Sequence, residues 1–122
     1  MKRDMDLIRR IAIETELLEP NDSLNCLEGV DAHAFAAHAK WMSEAGLVDV
    51  RFLQGLGRPV SAVVLRLTWV GCEFLDAARS DTVWARAKKS VMGHASSFTI
   101  DLLMTWLKKA IAEELPALGG LS

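Results

Sequence analysis

The sequence predicts an α+β fold, mostly helical, on three observations. Apolar residues recur at helical spacing in several segments. Two short runs alternate apolar and polar residues on either side of a glycine-rich stretch. Helix-starting and helix-stopping residues punctuate both kinds of segment. The expected order is helix, short strand, helix, β-hairpin, then three helices. With 122 residues and 51% hydrophobic content, the chain is expected to be a single domain. Its core is expected over residues 1–79 and a helical C-terminal extension over 80–122.

The first helix is expected from Asp4 or Asp6 to Leu18. Ile8, Ile11, Ala12, Thr15 and Leu18 form its apolar stripe, and the two acids suit its N-terminus. Pro20 disfavours helix at Glu19. Residues 20–31 read as a linker rich in turn formers, with Leu24-Asn25-Cys26-Leu27 as a short strand. Asp31 caps a second helix over 32–45, with Phe35, Ala39 and Met42 on one side and Gly46 as its stop. Residues 47–53 and 61–67 alternate as the two strands of a hairpin, joined through Gly55, Gly57 and Pro59. Val48, Val50, Phe52, Val63, Leu65 and Leu67 are expected inward, and Ala62, Val64 and Arg66 outward. Thr68 caps a helix over 69–79. Ser80 or Asp81 starts another to about Met92, with Trp84, Ala87 and Val91 on one face, ended by Gly93. Ser96 or Ser97 caps a last helix to about Leu115. Trp41, Trp69 and Trp84 are expected to meet the core.

Composition narrows the function classes. The net charge of −2 shows no global basic excess of the kind that nucleic-acid binders carry. Cys26 and Cys72 stand in no metal or redox spacing and read as buried thiols of a reducing cytoplasm. The N-terminus has no apolar run behind its charges, so no secretory signal is expected, and no stretch approaches the ~20 apolar residues of a membrane span. His33 and His38 are five positions apart, about 140° around a helix, whereas two helical metal ligands share a face. Gly-x-Ser-x-Gly, His-Glu-x-x-His and phosphate-loop patterns are missing, and pairing Cys72 with His38 or His94 has no motif behind it. Neither enzymatic activity, cofactor nor metal is expected.

Two stretches carry a resemblance. His38-Ala39-Lys40-Trp41-Met42-Ser43-Glu44-Ala45-Gly46-Leu47-Val48 is followed by Leu67-Thr68-Trp69-Val70-Gly71-Cys72-Glu73-Phe74-Leu75. This segment resembles winged-helix repressors of the arsenic-sensor and multiple-antibiotic-resistance types. In those proteins a recognition helix ends in Ala-Gly-Leu, a wing follows, and Leu-Thr-x-x-Gly opens the next helix. Over most of its length the chain also resembles the small phage and bacterial family called domain of unknown function 2513. Met1-Lys2-Arg3-Asp4-Met5-Asp6-Leu7-Ile8-Arg9, Glu44-Ala45-Gly46-Leu47, Leu67 to Arg79, and Asp81-Thr82-x-Trp84-x-x-Ala87-Lys88-Lys89 carry that likeness. The resemblance implies a winged-helix-like fold and a cytosolic protein of phage, prophage or bacterial origin, and it implies no activity. Only one helix fits between the linker and the wing, so the usual first helix of the helix-turn-helix is shortened or missing.

Candidate binding residues follow from that frame. A recognition helix reads bases through its N-terminal half, which here is Asp31-Ala32-His33-Ala34-Phe35-Ala36-Ala37-His38. Alanine neither donates nor accepts side-chain hydrogen bonds, and Asp31 would repel phosphates. His33, His38 and Lys40 on this helix, with Arg51, Arg58 and Arg66 on the wing, are the candidate DNA contacts. Arg86-Ala87-Lys88-Lys89 and Lys2-Arg3 with Arg9-Arg10 suit helix ends and exposed faces. The last helix is apolar around most of its circumference. Leu102, Leu103, Trp106, Leu107, Ala110 and Ile111 mark it for contact with a second copy, a possible homodimer. The expectation is a non-enzymatic module acting by protein–protein contact, of which inhibition of a host defence complex in the anti-CRISPR manner is one form. The alternative is a DNA-binding transcriptional regulator using helix 32–45 and the wing.

Overall fold

The computed structural model describes residues 1–55, 57, 61–92 and 100–114. Helix α1 spans Met5–Glu16. Asp4 caps it, its Oδ1 accepting from the backbone N–H of Asp6 at 3.0 Å and of Leu7 at 3.3 Å. The stripe Ile8, Ile11, Ala12 and Thr15 is buried, and Met5 and Leu7 widen it. The helix stops before Leu18. The N–H groups of Leu17 and Leu18 donate to the carbonyls of Glu14 and Thr15, three residues back, which tightens the last turn. The expected strand over 24–27 is a single antiparallel bridge, Leu24 to Val64, closed by two hydrogen bonds of 2.9 and 2.8 Å.

Helix α2 spans Ala32–Glu44, capped by Asp31 Oδ2, which accepts from the N–H of His33 and Ala34. Phe35, Ala39 and Met42 form its buried face. Gly46 takes φ +77°, and the N–H of Leu47 donates to the Met42 carbonyl at 2.8 Å. This left-handed stop turns the chain into the hairpin.

Strands β1 (Val48–Leu53) and β2 (Ser61–Leu67) pair antiparallel. The outcome corrects half of the expected facing. Val48 pairs with Leu67 and Asp49 with Arg66, but Val50 pairs with Val64, so Leu65 is an extra residue in β2. Such a bulge shifts side-chain parity by one. Tipward of it Ala62 and Val64 are the buried residues, Val63 is half-buried and Leu65 is exposed; beyond it Leu67 is buried as expected. On β1, Val48, Val50 and Phe52 do share a face, but Phe52 reaches past the core and is 42% exposed.

Helix α3 spans Trp69–Ala78. Thr68 joins it to the turn after α2. Its N–H donates to the Leu47 carbonyl at 3.0 Å, its hydroxyl donates to the Gly46 carbonyl, and its Oγ1 accepts from the Gly71 N–H at 3.0 Å. Gly71 lies so close to this turn that an added Cβ would stand 1.9 Å from the Leu47 carbonyl oxygen. The two motifs Ala-Gly-Leu and Leu-Thr-x-x-Gly are therefore the two halves of one packed joint.

The chain divides into two compact units, Met1–Leu75 and Asp76–Ser122. In the second, Ser80 caps α4 (Asp81–Ala87), which continues as a π-helical turn over Lys88–Met92. Trp84, Ala87 and Val91 are buried, as their spacing predicts. Helix α5 spans Ile100–Glu114 and packs on α4, with Leu103, Leu107 and Ala110 buried. Gly93 and the expected cap at Ser96 or Ser97 lie outside the described residues.

Two further expectations are corrected. Trp69 is 80% exposed rather than in the core. Gly71, Phe74, Leu75 and Ala78 define the buried face of α3, and Trp69 lies about 160° round from Gly71. Cys26 and Cys72 are both exposed thiols, not buried ones. No helix among the described residues is long and apolar enough to cross a membrane.

Candidate functional site

The proposed DNA contacts differ in burial and in the partners they already have. His38 is 2% exposed. Its Nε2 accepts from the Asp4 N–H at 2.9 Å, so Nδ1 carries the proton that bonds the Ala34 carbonyl at 2.7 Å. The ring also stands edge-on to Trp41, with centroids 5.1 Å apart. His38 thus ties the start of α1 to α2 and offers no ring nitrogen to a base or a metal. His33 and Lys40 are exposed on α2. Arg51 is exposed on β1, opposite Val63. Arg66 is exposed, but its Nε lies 2.7 Å from Asp49 Oδ2, and its Nη1 donates to the Leu67 carbonyl. That carboxylate lies across the hairpin, and the pair is solvent-exposed. Arg58 lies outside the described residues.

The residues named on the last helix separate into three sets. Leu103, Leu107 and Ala110 are buried, Trp106 and Ile111 are half-buried, and Leu102 is 52% exposed. The guanidinium of Arg86 stands 5.7 Å from the centroid of the Trp106 ring, a cation–π contact between α4 and α5.

Sequence reasoning missed a different place, in the first unit. A cleft of about 430 Å³ opens between the end of α1 and the bulged part of β2. Thr15, Leu18, Leu65, Leu67 and Cys72 line it, together with Glu16, Glu19 and Arg66. It exists because the bulge turns Leu65 outward, which strict alternation along β2 does not foretell. Trp69 lies three residues from Cys72 on the same helix, within the reach of neighbouring side chains on one side of α3. That off-face tryptophan was legible, since the Gly71, Phe74, Leu75 and Ala78 spacing already points the helix the other way.

Comparison with known proteins finds a family and a relative. The family model described as "Hypothetical protein (DUF2513)" matches residues 2–97. A protein of Haemophilus influenzae strain Rd, described as an uncharacterized protein, is 31% identical over 118 residues, covering 94% of this chain and 99% of its own length. No solved structure matches the chain. The matched span takes in the Asp4 cap, the His38 tie and the Gly46–Thr68–Gly71 joint, so it covers the residues that fix the first unit's architecture. This chain belongs to the domain of unknown function 2513 family.

Proposed function

We propose that this protein is a non-enzymatic interaction module with a winged-helix arrangement, acting by contact with another protein in a bacterial or phage-infected cytoplasm. The arrangement is supported by the order α1, bridge strand, α2, β1–β2 hairpin and α3, with the bridge at Leu24 beside the hairpin. The observation that carries the function is Trp69, 80% exposed at the first turn of α3 with exposed Val70 beside it. Tryptophan is prominent among residues that anchor protein interfaces, and here an indole and a valine side chain stand exposed side by side. Inhibition of a host defence complex is one role of this class.

The exposed His33, Lys40 and Arg51 favour the second reading, a DNA-binding regulator. Against it stand the buried His38, the Arg66–Asp49 pair and the acidic cap of α2. One pair of measurements separates the two. Gel-shift titration with mixed duplex DNA is expected to show no tight binding at physiological salt. Crosslinking in the host is expected to capture a protein that Trp69→Ser loses while its thermal unfolding is unchanged. Nanomolar, sequence-selective DNA binding that drops steeply with salt overturns the ordering.

A further inference from the structure

We propose that the outer edge of β1 pairs antiparallel with the same edge of a second copy of this chain, centred on Val50. Among the described residues β1 has one strand neighbour, β2. Its other edge is a template for a further strand. Which backbone groups lie on that edge follows from β2. Val64 gives its N–H and its carbonyl to Leu24, at 2.8 and 2.9 Å. Both groups therefore point away from β1, so the opposed residues Val50 and Val64 share no hydrogen bond. Val50 turns its own N–H and carbonyl outward. The Thr68 N–H, bonded to the Leu47 carbonyl, brackets Val48 and Leu67 as a second pair of the same kind. The extra residue of the bulge lies in β2, so β1 alternates without interruption. Val48, Val50 and Phe52 accordingly carry the outward backbone groups, while those of Asp49 and Arg51 face β2.

The side chains select the occupant. In a two-fold antiparallel pair, outward groups meet outward groups. Centring on Asp49 sets that carboxylate against its own copy, and centring on Arg51 does the same for the guanidinium. Like charges directly opposed are destabilising. Centring on Val50 instead sets Asp49 against Arg51 of the second copy, on both sides of the axis, and Val50 against Val50. It also sets the buried Val48 against Phe52, which is 42% exposed. Asp49 already holds Arg66 at 2.7 Å through Oδ2, and a carboxylate has acceptor sites for a second guanidinium. Signs then alternate across the sheet as Arg66, Asp49 and Arg51. The strand is thus its own complement, and two-fold symmetry supplies the matching order of residues. Residues 48–53 contain no proline, and their two charges are opposite in sign, so the edge lacks a like-charge guard against such pairing. This surface uses neither Trp69 nor α5.

The test follows the mass and the amide exchange of the full chain. Light scattering is expected to give a dimer at high micromolar concentration. Arg51→Asp sets a like charge against Asp49 and should weaken association about tenfold, as should Asp49→Arg against Arg51. Mixed in equal amounts, the two variants should associate again, because each then meets the opposite charge. Thermal unfolding checks that both are folded. In the wild type, deuterium exchange at the Val50 and Phe52 amides should slow as concentration rises, and exchange at the Arg51 amide should change less. A wild type that stays monomeric at high micromolar concentration overturns the proposal. So do folded variants that associate as the wild type does, or a mixture of folded variants that stays apart. A dimer that Leu102→Asp dissociates and Arg51→Asp does not would move the contact to α5 and overturn it too. Exchange at Val50 and Phe52 that ignores concentration overturns it whatever the variants do.

Discussion

Two phenylalanines show how far identity and position diverge. Phe35 is 1% exposed on α2, whereas Phe52 near the end of β1 is 42% exposed. Phe35→Ala is therefore expected to cost ~3–5 kcal/mol, as truncation of a buried phenylalanine does. Phe52→Ala should cost about 1 kcal/mol or less, in the range of surface changes. Urea unfolding of the two variants side by side checks the difference, and equal losses would contradict the placement. The Phe35 environment was readable from the helical spacing of Phe35, Ala39 and Met42. That of Phe52 was not, because alternation assigns a face but says nothing of how far the core extends beneath it. Gly71 makes the same point for a backbone. Its close approach to Leu47 leaves no room for a Cβ, and the obstacle is a carbonyl, which cannot rotate aside. Gly71→Ala is expected to destabilise the protein by ~1–3 kcal/mol or more, visible as a lower Tm. An unchanged Tm would mean the joint can open at little cost.

At the scale of elements, caps and stops were the most legible features. Asp4, Asp31, Thr68 and Ser80 each cap a helix, and Gly46 ends one. Their mechanism is local, a side-chain oxygen meeting nearby N–H groups, so the local sequence contains it. The bulge at Leu65 was not legible, because it depends on the pairing of two strands, which no window of β2 alone encodes. The cleft was lost with it. The role of His38 was hidden for a similar reason: its partner Asp4 is 34 residues away. In α5 the broad apolar surface was plain, but its division was not. Leu103, Leu107 and Ala110 are inside while Leu102 remains exposed. Self-association through α5 predicts a wild type of dimeric mass by light scattering that Leu102→Asp converts to a monomer. A wild type that stays monomeric at high micromolar concentration removes α5 as an interface.

For the whole molecule, charge and family extent set the terms. With a net charge of −2, long-range attraction to a polyanion has no global source. Whatever DNA affinity low salt reveals should come from a few contacts and vary only weakly with ionic strength. A steep salt dependence in the gel-shift titration would require a local basic face on a chain whose net charge is −2. The family match ends at residue 97, and α5 begins at Ile100. The cleft and Trp69 therefore lie within the family span, and α5 lies beyond it.

The joint at Gly46, Thr68 and Gly71 has one more consequence. It clasps the hairpin at its base, so everything between residues 47 and 67 hangs from a closed loop whose two ends are held independently of the tip. Chain continuity at the tip is then dispensable for holding the pieces together. A protease site inserted at Gly55 and cut once should leave two fragments that travel as one particle in gel filtration and part only on a denaturing gel. Tip length, on the same logic, is free to drift between relatives, since doubling such a loop costs only about 0.6 kcal/mol.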